Sequence, residues 1–291
     1  MIQYRIIQIF IKYFTMSSLK TLMIVLVFTM SYTVLHAQLS ISPPYVSVDG
    51  RSGVGNIYIT NNSSQAQEVE ISFAFGYPGS DEDGNIVMNY TDSAAYAIYA
   101  MDPVVRAFPR TFILPPNQQR TVRVQVKPSA GMKDGFYFTR AKILAKPQTA
   151  EVAKPVSEGI STKISFNFEQ VIPAFYKRGK VTTGLKIESV DVAQKDTMLI
   201  IKTNLSRTGE APFIGSMTAK LLDAKGKVIA TSQSSTTAYF KVLRRLDLDI
   251  AKVAKGSYKL DVIFETKRGD MAVADLVQAQ PITQSVDVLI K

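Results

Sequence analysis

The chain has 291 residues, 46% hydrophobic and 20% charged, enough for one or two domains with real cores and too apolar for a disordered chain. It has no cysteine and a single histidine, His36, so a disulfide framework is excluded, and nucleophile systems built on Cys, as well as most zinc sites, are disfavoured. The net charge is +10, but Lys and Arg are spread along the chain with no dense basic block, which argues against a nucleic-acid partner.

Residues 1–37 read as a secretory signal peptide. Lys20 precedes the apolar run from Leu22 to Phe28, and the segment closes on Leu35-His36-Ala37. The apolar run is short for a membrane span. An uncleaved anchor is the alternative. Met16-Ser-Ser-Leu-Lys20 also reads as a signal start, which makes Met16 an alternative initiator. Cleavage after Ala37 would leave Gln38 first and remove the only histidine. It would also remove Arg5, Lys12 and Lys20, taking the charge from +10 to +7. A mature chain without His or Cys lacks the usual nucleophile and base residues, though a carboxylate site remains possible in principle, and the chain is read as a non-enzyme with no cofactor and no metal.

Strand patterns then follow one another. Residues 39–48 form a bent strand broken at Pro43-Pro44. Residues 56–60 alternate and end in Asn61-Asn62-Ser63-Ser64, a turn. In 67–75, Val69, Ile71, Phe73 and Phe75 share one parity. Residues 77–106 break the rhythm. The Asp81-Glu82-Asp83-Gly84-Asn85 run lacks the downstream carboxylate of a calcium loop and reads as a solvated turn. A short helix is expected over 91–101, capped by Asp92 or Ser93. Strands resume at 110–114, at 119–126 with Val122, Val124 and Val126 on one face, and at 136–145. The polar, proline-bearing stretch 146–158 reads as a flexible loop.

The next stretch, 159–179, is the most informative. Ile160, Ile164, Phe166, Phe168 and Ile172 fall on one parity, and Ser161, Lys163, Ser165, Asn167 and Glu169 on the other. A period of two with aromatic and β-branched residues marks a half-buried strand. Extended from 160 to 176 it would be roughly 55 Å long, far beyond the usual five or six residues. Pro173 belongs at an edge, a bulge or a junction of two strands, because it cannot donate to a ladder. Either the apolar face packs on the protein's own sheet, or it is offered to another protein.

Lys177-Arg178-Gly179-Lys180 reads as a linker. A second strand series follows at 185–192, 197–204, 216–223, 227–231, 239–249, 258–265, 271–276 and 285–290. Asp223-Ala-Lys-Gly226 and Lys267-Arg-Gly-Asp270 are hairpin-type turns, and the Arg-Gly-Asp in the second is read as turn chemistry. No helical period recurs between strands, so the fold class is all-β: two immunoglobulin-like β-sandwiches in tandem, over 38–178 and 179–291.

This order of parts resembles the PapD-like periplasmic pilus and fimbrial assembly chaperones. Val46-Ser-Val-Asp-Gly50 is similar to the end of that family's first strand, and Ile59-Thr-Asn-Asn62 to its second strand and turn. The segment Phe112-Ile-Leu-Pro-Pro-Asn-Gln-Gln-Arg-Thr-Val-Arg-Val124 and the run Gly135-Phe-Tyr-Phe138 resemble later pieces. The loop 146–158 and the strand 159–178 match the family's mobile loop and seventh strand. The resemblance implies a periplasmic protein that lends this strand to an incomplete β-sandwich subunit such as a pilin, with Ile164, Phe166, Phe168 and Ile172 as the binding strand. An outer-membrane usher is a further implied partner. An open apolar edge also implies self-association. The family grips its subunit's terminal carboxylate with an Arg and a Lys. Tyr45 and Pro173 stand at those positions here, so that anchoring pair is not retained. The alternative function is a structural or adhesive envelope protein with the same two domains and no chaperone role.

Overall fold

In the computed structural model, residues 39–148 and 167–291 are described. The signal segment, Ile164 and Phe166 lie outside them, as does most of the expected loop.

The first half contains β1 (Leu39–Ser42), β2 (Val46–Val48), β3 (Val54–Asn61), β4 (Gln67–Ala74), β5 (Tyr77–Ser80), β6 (Ile86–Asn89), helix α1 (Ser93–Tyr99), β7 (Val105–Phe108), β8 (Thr111–Leu114), β9 (Gln119–Val126), β10 (Gly135–Pro147) and β11 (Phe168–Arg178). Two sheets, ordered β1-β3-β9-β7 and β2-β11-β10-β4-β8, face each other. Pro43 and Pro44 break the first strand where the chain leaves one sheet for the other, so β1 and β2 lie in opposite layers. The core between them takes Ile57, Ile59, Val122 and Val124 from one sheet and Val69, Ile71, Ala141, Ile143 and Ala174 from the other. Alternation along each strand puts these residues inward.

The second half holds β12 (Thr183–Lys195), β13 (Met198–Gly209), β14 (Phe213–Leu222), β15 (Val228–Ala238), β16 (Lys241–Asp249), β17 (Gly256–Glu265) and β18 (Ile282–Ile290). Its sheets run β12-β13-β16 and β15-β14-β17-β18 around a second core of Leu199, Ile201, Leu205, Phe213, Met217, Leu260, Val262 and Phe264. The protein is therefore all-β, with two sandwiches in tandem.

The strand expected at 271–276 is instead a single 3-10 turn, Val273–Asp275. Met271 and Leu276 are both buried in the same aromatic cluster, so their role is to plug rather than to alternate. The strand expected from Tyr239 begins at Lys241, because Tyr239 and Phe240 turn into that cluster. Phe75, expected to share a face with Val69 and Ile71, also leaves the first core for it. The Arg268 guanidinium closes on the Asp270 carboxylate within its own turn, through Nε to Oδ1 at 2.8 Å, in keeping with the turn reading of Arg-Gly-Asp.

A third, aromatic core joins the sandwiches. Phe138, fully buried, stacks on Phe75 at 5.2 Å and on Tyr99 at 5.6 Å, and meets Tyr239 of the second half edge-on at 4.7 Å. Tyr77 meets Tyr239 and Phe240 at 5.8 and 4.9 Å. The hairpin β5–β6 carries this contact outward. The Leu243 amide donates to Ser80 Oγ, Arg244 donates to the Gly79 carbonyl, and Lys202 pairs with Asp83 at 3.0 Å. The acidic turn itself is organised by Asp81, whose Oδ1 accepts from the amides of Asp83 and Asn85. Among the described residues no three carboxylates gather as a metal site would need.

Helix α1 starts where expected but is shorter. Asp92 caps it, accepting from the Ala95 amide at 2.9 Å and from the Tyr77 hydroxyl at 2.5 Å. The Ala95 amide, then the Tyr77 hydroxyl, hold the Asp92 carboxyl below its ordinary range. A depressed carboxyl contributes stability above its unfolded pKa, and this is lost as pH falls through the folded value. Asp92→Ala should therefore lower Tm by a few degrees at neutral pH, and the difference from the parent should shrink as pH falls through the folded value. Thermal melts across that range check it. A gap that persists in acid would mean the carboxylate charge plays no part.

Candidate functional site: a half-covered sheet edge

β11 is paired along its whole length with β10, from Phe168 opposite Ala145 to Arg178 opposite Gly135. On its other side it has only β2, and β2 covers just Ala174, Phe175 and Tyr176, in parallel. Among the described residues, Phe168 to Pro173 therefore form an open edge. Pro173 sits where the cover ends, as its missing N–H requires.

The two faces of β11 differ. Ile172, Ala174 and Tyr176 point into the first core. Along that same parity exposure rises toward the start of the strand, from 4% at Ile172 to 36% at Phe168. Gln170 lies between them, and its Oε1 is buried without a hydrogen-bond partner. The inward face thus runs out of its own sandwich within two alternations. On the opposite face Val171 is exposed, Glu169 pairs with Lys142 at 3.3 Å, and Phe175 enters the aromatic core.

Ile172 needs a correction. The sequence placed it among the residues lent to a partner, but it is packed in the core of its own sandwich and has no free surface to lend. Parity was read correctly, but parity does not say how far along a strand its own core extends. Phe168 does carry exposed surface.

Of the two positions expected to align with a carboxylate grip, Tyr45 and Pro173, only Tyr45 belongs to the aromatic core between the sandwiches. Tyr45 is buried in the aromatic core; its hydroxyl donates to Asp275 Oδ2 at 2.7 Å and accepts from the Ala272 amide at 3.1 Å. Burial is the main reason its phenol is pushed above the ordinary value. Pro173 faces Arg140 across the ladder. Arg140 is buried and its Nε donates to the Gly76 carbonyl at 3.2 Å. Sequence reasoning passed over Arg140 because a charge inside an alternating strand reads as a solvated position. Of the nearby cations, Arg178 pairs with Asp134 at 3.5 Å. Lys177 shares a pocket of about 140 Å³ with Asp49 and Asp275, whose charges disfavour a carboxylate there.

No family model and no curated protein matches the sequence. Solved structures similar to it include the YadV chaperone, at 10% identity and a TM-score of 0.44, with 87% of this chain and 100% of that one covered. The CsuC–CsuE chaperone–tip adhesion subunit pre-assembly complex from Csu pili of Acinetobacter baumannii matches at 11% and 0.42, covering 85% and 98%. The Salmonella enterica SafA pilin in complex with the SafB chaperone matches at 12% and 0.39, covering 87% and 98%.

Proposed function

We propose that this chain is a periplasmic chaperone, exported by its signal peptide, that holds incomplete β-sandwich subunits such as pilins by strand addition. Its two domains, 38–178 and 179–291, meet across the aromatic core. The observation that carries the reading is the half-covered β11: among the described residues, an edge open from Phe168 to Pro173 whose inward face becomes exposed toward Phe168. An incoming strand would satisfy the open backbone and take Phe168, with Ile164 and Phe166 upstream, into its own groove.

Anchoring differs from the family's. With Tyr45 and Pro173 in the two grip positions, a subunit's terminal carboxylate has no Arg–Lys pair to meet, and affinity rests on the ladder and the apolar anchors. Docking to an outer-membrane usher is part of the same proposal. The test is capture of a subunit from periplasmic extract by the mature protein, read by mass spectrometry. Recovery of a β-sandwich subunit in a defined ratio supports the reading. A protein that captures none, and is instead recovered within a fibre or surface layer, returns it to a structural envelope role.

A further inference from the structure

Among the described residues, and apart from the open stretch of β11, the sheet edges are guarded, with one exception. β1, β2, β7 and β8 have three or four residues each. β12 carries Lys186, Glu188, Asp191 and Lys195, β16 carries five charged residues and the β5 hairpin against it, and β18 carries Asp287. Short strands and charges are the usual defences of an unpaired edge. β15, Val228-Ile-Ala-Thr-Ser-Gln-Ser-Ser-Thr-Thr-Ala238, is eleven residues long and contains no charge, no proline and no glycine. It pairs with β14 on one side only.

The direction of its free hydrogen-bonding groups follows from one contact. Arg244 Nη2 donates to the Thr237 carbonyl at 2.7 Å, and this carbonyl points away from β14. N–H and C=O of alternate residues share a direction in an antiparallel strand. Thr231, Gln233 and Ser235 therefore also aim their backbone groups outward. Arg244 closes the edge at Thr237, and a register shift between Ala230 and Val228 ends the regular stretch at the other side. The open, regular stretch is centred on Gln233.

We infer that β15 is a self-pairing surface and that its occupant is β15 of a second copy, antiparallel about a two-fold axis at Gln233. In that arrangement Gln233 faces the partner's Gln233 and Thr231 faces the partner's Ser235. Three outward-facing pairs exchange two hydrogen bonds each, about six in all, within the usual range for a whole interface. Charge favours this occupant. A charged edge from another protein would find nothing on β15 to pair with. A second β15 brings only neutral side chains to an axis where any charge would meet its own kind. This surface is separate from the open edge of β11 and does not rest on the proposed function.

The test is sedimentation of the mature protein and its variants over a concentration series. Gln233 is exposed and lies opposite Thr218 in its own sheet, so a charge there leaves the fold intact, as an unchanged Tm would verify. The parent should be a dimer. Gln233→Lys alone and Gln233→Glu alone should each shift to monomer, with dimerisation at least tenfold weaker. An equimolar mixture of the two variants should recover the dimer, because unlike charges then face each other on the axis. A parent that stays monomeric at every concentration, variants that associate as the parent does, or a mixture that fails to recover the dimer would each overturn the inference.

Discussion

Phe138→Ala should cost about 3–5 kcal/mol of stability, the range of a large aromatic truncated in a closed core. Phe138 is fully buried, and its ring touches Phe75, Tyr77, Tyr99 and Tyr239 at centroid distances from 4.7 to 6.1 Å. Those neighbours come from the residue after β4, from β5, from the end of α1 and from the second sandwich. Removal of the ring therefore loosens the first sandwich and the joint together. At roughly 2–4 °C per kcal/mol for a chain of this size, Tm should fall by about 10 °C. Calorimetry distinguishes the two contributions. If the aromatic core couples the sandwiches, the variant should resolve two transitions where the parent shows one. A single transition lowered by under about 1 kcal/mol would mean that the cluster is loosely packed and the sandwiches are joined by the β5 hairpin alone.

Most of the fold could be read from period-two alternation. Val122, Val124 and Val126 were placed on one face, and they line the first core; the break at Pro43-Pro44 marked the change of sheet. Three features escaped for physical reasons. The hairpin β5–β6 has four-residue strands of Tyr-Pro-Gly-Ser and Ile-Val-Met-Asn, too short to show a period, and it is held by contacts to β16 that no local pattern encodes. Met271 and Leu276 resembled strand residues because burial in an inter-sandwich plug selects the same side chains as a strand does. The aromatic core as a whole was invisible, since Tyr45, Phe75, Phe138 and Tyr239 are far apart in sequence and each also fits a strand or turn locally. The candidate site was legible in part. Alternation identified the strand and Pro173 identified an edge. Where cover by β2 stops, and hence that Ile172 is core and Phe168 is not, depends on the register of a parallel pair between segments more than a hundred residues apart.

That boundary makes the sharpest test of the proposed function. Phe168→Ser should leave the free protein nearly as stable as the parent, because over a third of the Phe168 surface is already in water. Capture of a subunit should weaken by about 1.5–3 kcal/mol, the worth of burying one large apolar side chain, which is roughly ten- to a hundredfold in affinity. Phe166→Ser, two residues upstream on the same parity, should act in the same direction. The two together should reduce capture below detection if both side chains fill pockets of the incoming subunit. The measurement is paired: thermal unfolding of each free variant, and its capture of subunit from periplasmic extract beside the parent. Stable variants that no longer capture subunit identify this face as the lent one. A Phe168→Ser protein that melts far below the parent would place Phe168 in the protein's own core with Ile172. One that is stable and captures subunit as the parent does would remove β11 from binding altogether, since the ladder hydrogen bonds alone are the same for any sequence and could not select a client.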